Sequence, residues 1–198
     1  IFVERSAYDG FVERFVAATR RLRVGDPLED GIDQGAVVSK AHFEKIMSYI
    51  DLAREEGGQL LTGGGPPETL PDRCRDGFFI EPTVITGLDP TCRVNQEEIF
   101  GPVATILPFE DEDEVLEYAN GTPYGLSASV WTENLARAHR LADGIESGTV
   151  WINCWLLRDL RVPFGGMKHS GVGRVGGEEA LRFFTEPKNV CIRYARGS

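Results

Sequence analysis

Three short stretches of the chain carry residue types that could do chemistry. In "NQEEIFGPV", residues 95–103, the adjacent carboxylates of Glu97 and Glu98 stand beside Phe100 and a Gly-Pro turn. A carboxylate accepts two hydroxyl hydrogen bonds and a phenyl ring offers a flat apolar face, contacts that would suit a ribose and the ring it carries. On spacing alone, a solvated turn before a strand accounts for this stretch better. In "INCWLLRDLRVPFGG", residues 152–166, Arg158 and Arg161 could clamp an acidic substrate, because guanidinium matches carboxylate geometry. The competing account for each is an ordinary surface arginine. The third stretch, "PFGGMKHSGVGRVGG", residues 163–177, contains Gly171-x-Gly173-x-x-Gly176, the spacing of a dinucleotide-binding loop. Such a loop needs a strand directly before its first glycine and an acid about twenty residues beyond the motif. Here the motif follows another loop, and the chain beyond it reaches Arg196 without supplying that acid. The dinucleotide reading fails on context, leaving a ligand-facing loop or a structural turn.

Other chemistries find little support. Cys74, Cys92, Cys154 and Cys191 are widely spaced without a CxxC pair, and the three histidines lie far apart, so neither a zinc site nor a disulfide framework is signalled. Lys and Arg total 21 against 31 Asp and Glu, a formal charge of -10, which disfavours a nucleic-acid partner. The cluster Arg20, Arg21 and Arg23 falls at an expected helix end, where cations interact well with the macrodipole. No apolar run has membrane-spanning length and no leader pattern opens the chain, so a reducing, cytoplasmic setting without a membrane partner is the default.

The elements that must position these stretches follow from periodicity. Ile1-Phe2-Val3 reads as a buried strand, and Ser6-x-x-Asp9 as a capping-box-like helix entry. Tyr8, Phe11, Val12, Phe15, Val16 and Leu22 then recur at helical spacing up to Gly25-Asp26-Pro27. A second stripe, Phe43, Ile46, Met47, Ile50 and Ala53, starts after Ser39 and stops at Gly57-Gly58. Strands are expected at Gln59 to Thr62 and around Phe78 to Ile85, separated by an exposed Gly- and Pro-rich excursion. From Val103 onward the chain alternates: strand Val103 to Leu107, helix from about Asp111 to Ala119, strand Leu126 to Trp131, helix Leu135 to Ile145, strand Thr149 to Ile152. This alternation implies parallel βαβ units and an α/β class. The acidic run Glu110 to Glu114 reads as helix capping, and a last helix near Glu178 to Phe184 leads to a β-rich end, Asn189 to Tyr194, whose edge invites pairing with another chain.

Taken together, "QEEIFGPV", "YGLSASVWT", "GTVWIN", "PFGGMKHSGVGR" and "FFTEPKNVCI" resemble the C-terminal half of the aldehyde dehydrogenase superfamily, in that family's order and spacing over essentially the whole chain. The resemblance implies an α/β fold: a parallel-sheet catalytic domain over residues 1–186 and a C-terminal oligomerisation strand over residues 187–198, with the Rossmann domain outside this chain. It implies oxidation of aldehydes to acids through a cysteine thiolate, hydride transfer to a nicotinamide and thioester hydrolysis. The cofactor implied is NAD, with NADP left open because the residues that read the ribose 2′-hydroxyl would lie upstream.

Carried over position by position, the resemblance implies cofactor contacts at Glu98, Phe100, His42 and Lys45, reversing the reading of Glu98 and Phe100 from spacing. It implies Phe164 in the aldehyde channel, and Arg174 paired with Glu186 to support the active-site loop. "W-L-x-R-D-L-R" looks most like dehydrogenases of muconate semialdehydes, in which Arg158 would bind the carboxylate distal to the aldehyde. Val175 stands where the family usually carries an acid. The nucleophilic cysteine is expected just before Ile1 and the base glutamate further upstream, with Cys92 and Cys154 as ordinary thiols. On that reading the chain is a fragment, inactive alone, whose intact form is a homodimer or homotetramer. The rival readings are an intact enzyme of neutral aldehydes and a free-standing, non-catalytic binding domain.

Overall fold

A computed structural model describes residues 1–193, which divide between two compact units, residues 1–118 and the remainder of the chain. In the first unit, strand β1 (Phe2–Glu4) leads directly into helix α1 (Arg5–Thr19). Helix α2 (Lys40–Glu55) begins where the Ser39 side chain accepts a hydrogen bond from the His42 N–H, satisfying one of the helix's unpaired donors. Strands β2 (Gln59–Thr62), β3 (Thr83–Thr86) and β4 (Val103–Phe109) complete a sheet ordered β1-β4-β3-β2. A single turn, α3 (Arg93–Gln96), precedes the 97–101 segment, and α4 (Glu112–Asn120) follows β4.

The apolar periodicities explain the packing. Ile46, Ile50 and Ala53 repeat along one face of α2 and are fully buried, meeting Ile80, Ile85, Leu88 and Val94 together with the partly buried Ile99 and Val103. On α1, Tyr8, Phe11, Val12 and Phe15 pack against Val3, Val16, Val84 and Ile106. All four residues of β3 are buried, as expected of a strand covered on both faces, with Val84 packed against α1 and Ile85 against α2.

The second unit contains β5 (Tyr124–Gly125) paired antiparallel with β8 (Met167–Lys168), and a parallel pair, β6 (Ser127–Val130) with β7 (Thr149–Ile152). Helix α5 (Leu135–Gly144) connects β6 to β7 as the expected βαβ unit, capped by the Asn134 side chain. Its buried core includes Ala138, Leu141 and Trp151. Helix α6 (Gly177–Phe184) comes last.

Several expectations change. The four-stranded sheet is mixed: β1, β4 and β3 run parallel, but β2 is antiparallel to β3, with a register irregularity between Leu60 and Thr62. The strand expected from Phe78 shortens to Thr83–Thr86 because Pro82, lacking an N–H, cannot continue the ladder. Ser6 caps nothing; α1 already begins at Arg5, with Glu4 at its N-cap and no side-chain cap. The Gly- and Pro-rich excursion is anchored: its short 3-10 helix, Asp72–Cys74, buries Cys74 and directs Arg73 Nε to within 2.9 Å of the buried Asp26 carboxylate. Residues 187–193 are exposed and form no strand, and Tyr194 to Ser198, the rest of the expected oligomerisation strand, lie outside the described residues. Among the described residues no helix is long and apolar enough to cross a membrane.

Ile85 tests this core. It has no solvent exposure between α2 and β4, so Ile85→Ala is expected to cost about 2–5 kcal/mol of stability in urea denaturation.

Candidate functional site

In the first unit, the 97–101 segment runs along α2, and each of its residues has a different partner. His42 Nε2 donates to the Phe100 carbonyl at 2.6 Å, and the two rings meet edge to face with centroids 5.8 Å apart. Lys45 Nζ donates to the Glu98 carbonyl, also at 2.6 Å. Tyr49 donates its hydroxyl to the Glu97 carboxylate, and Ile99 turns into the apolar core. At Gly101 a Cβ would sit 2.7 Å from Ile46 Cδ1, so the close approach of this backbone to α2 requires glycine. His42, Lys45, Ile46 and Tyr49 are spaced i, i+3, i+4 and i+7, one face of a helix.

This arrangement separates the two adjacent acids. Glu97 is held by Arg93 at 2.7 Å as well as by Tyr49, and those hydrogen bonds, Arg93 first, pull its carboxyl down to about 2. The same contact raises the Tyr49 hydroxyl. Glu98 is exposed, and its carboxylate has no ion pair among the described residues. Phe100 has a positive φ of 60° and remains 73% exposed, although it is aromatic and adjacent to buried structure. An uncommitted carboxylate can accept hydrogen bonds from hydroxyl groups, and an exposed ring two residues away can pack against a planar ring. The four residues expected at a cofactor site thus come together, but His42 and Lys45 grip backbone carbonyls. Tyr49 was missed by sequence reasoning, although its spacing from His42 and Lys45 was a usable signal.

In the second unit, Arg158 and Phe164 are brought together. The Arg158 guanidinium lies over the Phe164 ring, 4.0 Å from its centroid. Trp151, buried at β7, donates its indole N–H to Leu157 O at 2.8 Å and fixes the residue before Arg158. Trp155 packs edge-on against Trp151, with centroids 5.2 Å apart. The loop turns through positive φ at Asn153 and Leu156, and the Asn153 amide bridges both backbone groups of Thr132. Arg161 is committed to Asp159 in a forked pair, with its shortest contact at 2.5 Å. Of the two arginines expected at an anion clamp, Arg158 is the one without an ion pair among the described residues.

The glycine stretch is not a dinucleotide loop. Phe164 and Val175 exchange both backbone hydrogen bonds, at 2.7 and 2.8 Å, so the segment is a closed lobe, and α6 starts only after Gly176. Gly176 has φ 97°, and a Cβ there would lie 2.3 Å from Val162 O. Arg174 supports the lobe by donating to the Gly166 and Gly173 carbonyls at 2.9 and 2.8 Å. The expected Arg174–Glu186 pair is absent among the described residues: Arg174 is turned into its own loop, and Glu186 lies exposed beyond the end of α6. Val175 pairs through its backbone and leaves an apolar side chain exposed. Cys92 and Cys154 are half-buried, and burial pushes the Cys92 thiol up, against nucleophilic use. The described residues contain no cluster of metal-ligating side chains.

A family model described as the aldehyde dehydrogenase family matches residues 1–190. The chain belongs to the aldehyde dehydrogenase family. The 2-aminomuconic semialdehyde dehydrogenase of Danio rerio is 49% identical, and the 2-hydroxymuconic semialdehyde dehydrogenase of Pseudomonas sp. (strain CF600) is 47% identical; each alignment covers 98% of this chain and 40% of the relative. The crystal structure of betaine aldehyde dehydrogenase from Staphylococcus aureus in complex with NAD+ is 38% identical with a TM-score of 0.88, covering 93% of this chain and 36% of that one. The chain therefore spans about 40% of the length of the curated relatives it matches.

The Glu97 ion pair gives a pH test. A carboxyl whose folded pKa is about 2, below its ordinary 4.5, contributes stability that is complete above pH 4.5 and is lost as the pH falls from there toward 2. Glu97→Gln should lower stability at pH 7 and flatten the acid loss across that window. Urea midpoints between pH 6 and 2.5 measure this, and wild-type and variant profiles running parallel would refute it.

Proposed function

We propose that these residues form part of an NAD-dependent aldehyde dehydrogenase that oxidises a carboxylate-bearing semialdehyde of the muconate type. The activity is assigned to a full-length chain in which the cysteine nucleophile and the base glutamate are supplied by residues outside those described. The reading rests on family membership, on relatives that act on aminomuconic and hydroxymuconic semialdehydes, and above all on Arg158. Stacking on Phe164 orients the guanidinium while its N–H fork stays available to a carboxylate. Phe164 then serves twice, as the platform under Arg158 and as an apolar wall toward the aldehyde.

The residues at 98 and 100 fit a nicotinamide nucleotide: Glu98 would accept hydrogen bonds from ribose hydroxyls and Phe100 would pack against the ring. The neighbour crystallised with NAD+ supports the same choice. When bound, NAD+ supplies the hydride acceptor. The exposed apolar residues Val190 and Ile192 favour use of the chain end as a strand in a homodimer or homotetramer.

Substrate class is tested with Arg158→Ala in the full-length enzyme. The variant should lose about 1–3 kcal/mol of discrimination, read as the kcat/KM ratio of a semialdehyde acid to a neutral aldehyde of equal length. An unchanged ratio would sink the carboxylate assignment and favour a neutral-aldehyde enzyme. Truncation before Pro187 should shift the full-length protein to a smaller species in light scattering; retention of the original mass would remove the oligomerisation role.

A further inference from the structure

We infer that the α2 face carrying His42, Lys45 and Tyr49 is a clamp that positions Glu98 and Phe100 by holding the main chain of the 97–101 segment. The inference rests on the cofactor reading of Glu98 and Phe100 proposed above. On this face Lys45 donates one hydrogen bond to the Glu98 carbonyl and His42 one to the Phe100 carbonyl, each at 2.6 Å. A carbonyl can only accept, so the His42 Nε2 bears the proton in this bond. Tyr49 fixes the preceding residue through Glu97, and Ile99 anchors the centre by burial.

The clamp accounts for an otherwise unfavourable conformation. Phe100 occupies the left-handed region at φ 60°, where a bulky side chain is rarely found, and its ring stays largely in solvent. Neither ring burial nor strand pairing holds it there. The His42 hydrogen bond, the edge-to-face ring contact and the tight Gly101–Ile46 approach do. Releasing the clamp lets Phe100 relax toward extended backbone, which turns its ring and moves the Glu98 carboxylate two residues away. Cofactor affinity then falls, while the step that follows binding is affected less.

The experiment uses the full-length protein with His42→Ala, Lys45→Met and the donor-preserving His42→Gln. Chymotrypsin cleavage after Phe100, followed by mass spectrometry, reports the clamp, because the protease needs an extended backbone at that residue. NAD+ titration and the KM against kcat split report the site. We expect cleavage at Phe100 about tenfold faster in His42→Ala and Lys45→Met, with the NAD+ dissociation constant and KM raised about tenfold, kcat changed less than threefold, and near wild-type values in His42→Gln. Unchanged cleavage in both clamp variants would overturn the clamp whatever the affinity. Faster cleavage with unchanged NAD+ affinity would overturn the cofactor reading of Glu98 and Phe100, and with it their positioning role. A fall in kcat with unchanged KM would make His42 or Lys45 a direct participant and overturn positioning.

Discussion

The grip of one helix face on one extended segment organises the first unit. From His42 to Tyr49, α2 rises about 10 Å, and three residues of extended chain advance about the same distance. The two runs match end for end, with His42 at Phe100, Lys45 at Glu98 and Tyr49 at Glu97. Hydrogen bonds alone would not hold such a segment in water, because each replaces a bond to solvent for a small net gain. Burial does the rest: Ile46 and Ile50 are fully buried, and Ile99 packs into the same cluster. Helix, segment and the start of β4 are therefore a single packed object, and what the segment presents outward is determined by what the core holds inward.

That constraint separates neighbouring residues of identical type. Successive side chains in extended chain point to opposite sides, so Glu97 and Ile99 turn toward α2 and the core while Glu98 turns out; Phe100 departs from extended backbone at φ 60° and keeps its ring exposed beside His42. Glu97 becomes a structural acid, ionised far below the ordinary carboxylate range by Arg93 and Tyr49. Glu98 keeps its carboxylate uncommitted. Nothing in the dipeptide Glu-Glu distinguishes these fates.

How much of this was legible in the sequence depended on whether the cause was local. The apolar stripe of α2 beginning after Ser39 and the βαβ run through β6, α5 and β7 are written in short-range pattern, and the structure follows them. The antiparallel placement of β2 was not, since strand direction is settled by a partner twenty or more residues away. The capping-box pattern at Ser6 misled because β1 runs straight into α1 and leaves no room for a cap. The Arg73–Asp26 contact and the inward turn of Arg174 are likewise tertiary outcomes. Spacing alone favoured a mere turn at residues 95–103; the resemblance of longer motifs, which carries tertiary information that spacing lacks, pointed to Glu98 and Phe100.

The second unit repeats the device with opposite charge. Arg158 and Arg161 stand three residues apart in a loop bent by two left-handed residues, and a local partner consumes one of them. Asp159 neutralises Arg161, so the loop does not place two bare guanidiniums side by side, which would repel each other and bind any anion indiscriminately. Arg158 is held by a ring instead of a carboxylate. A cation resting on an aromatic face retains its charge and its in-plane donors, whereas a salt bridge would spend both. Trp151 steadies this placement by donating to Leu157 O, so a buried indole holds the backbone just before the arginine while Phe164 orients the guanidinium. In each unit, one member of a like-charged pair is tied up in structure and the other is left uncommitted, which gives the charged surface a specific geometry.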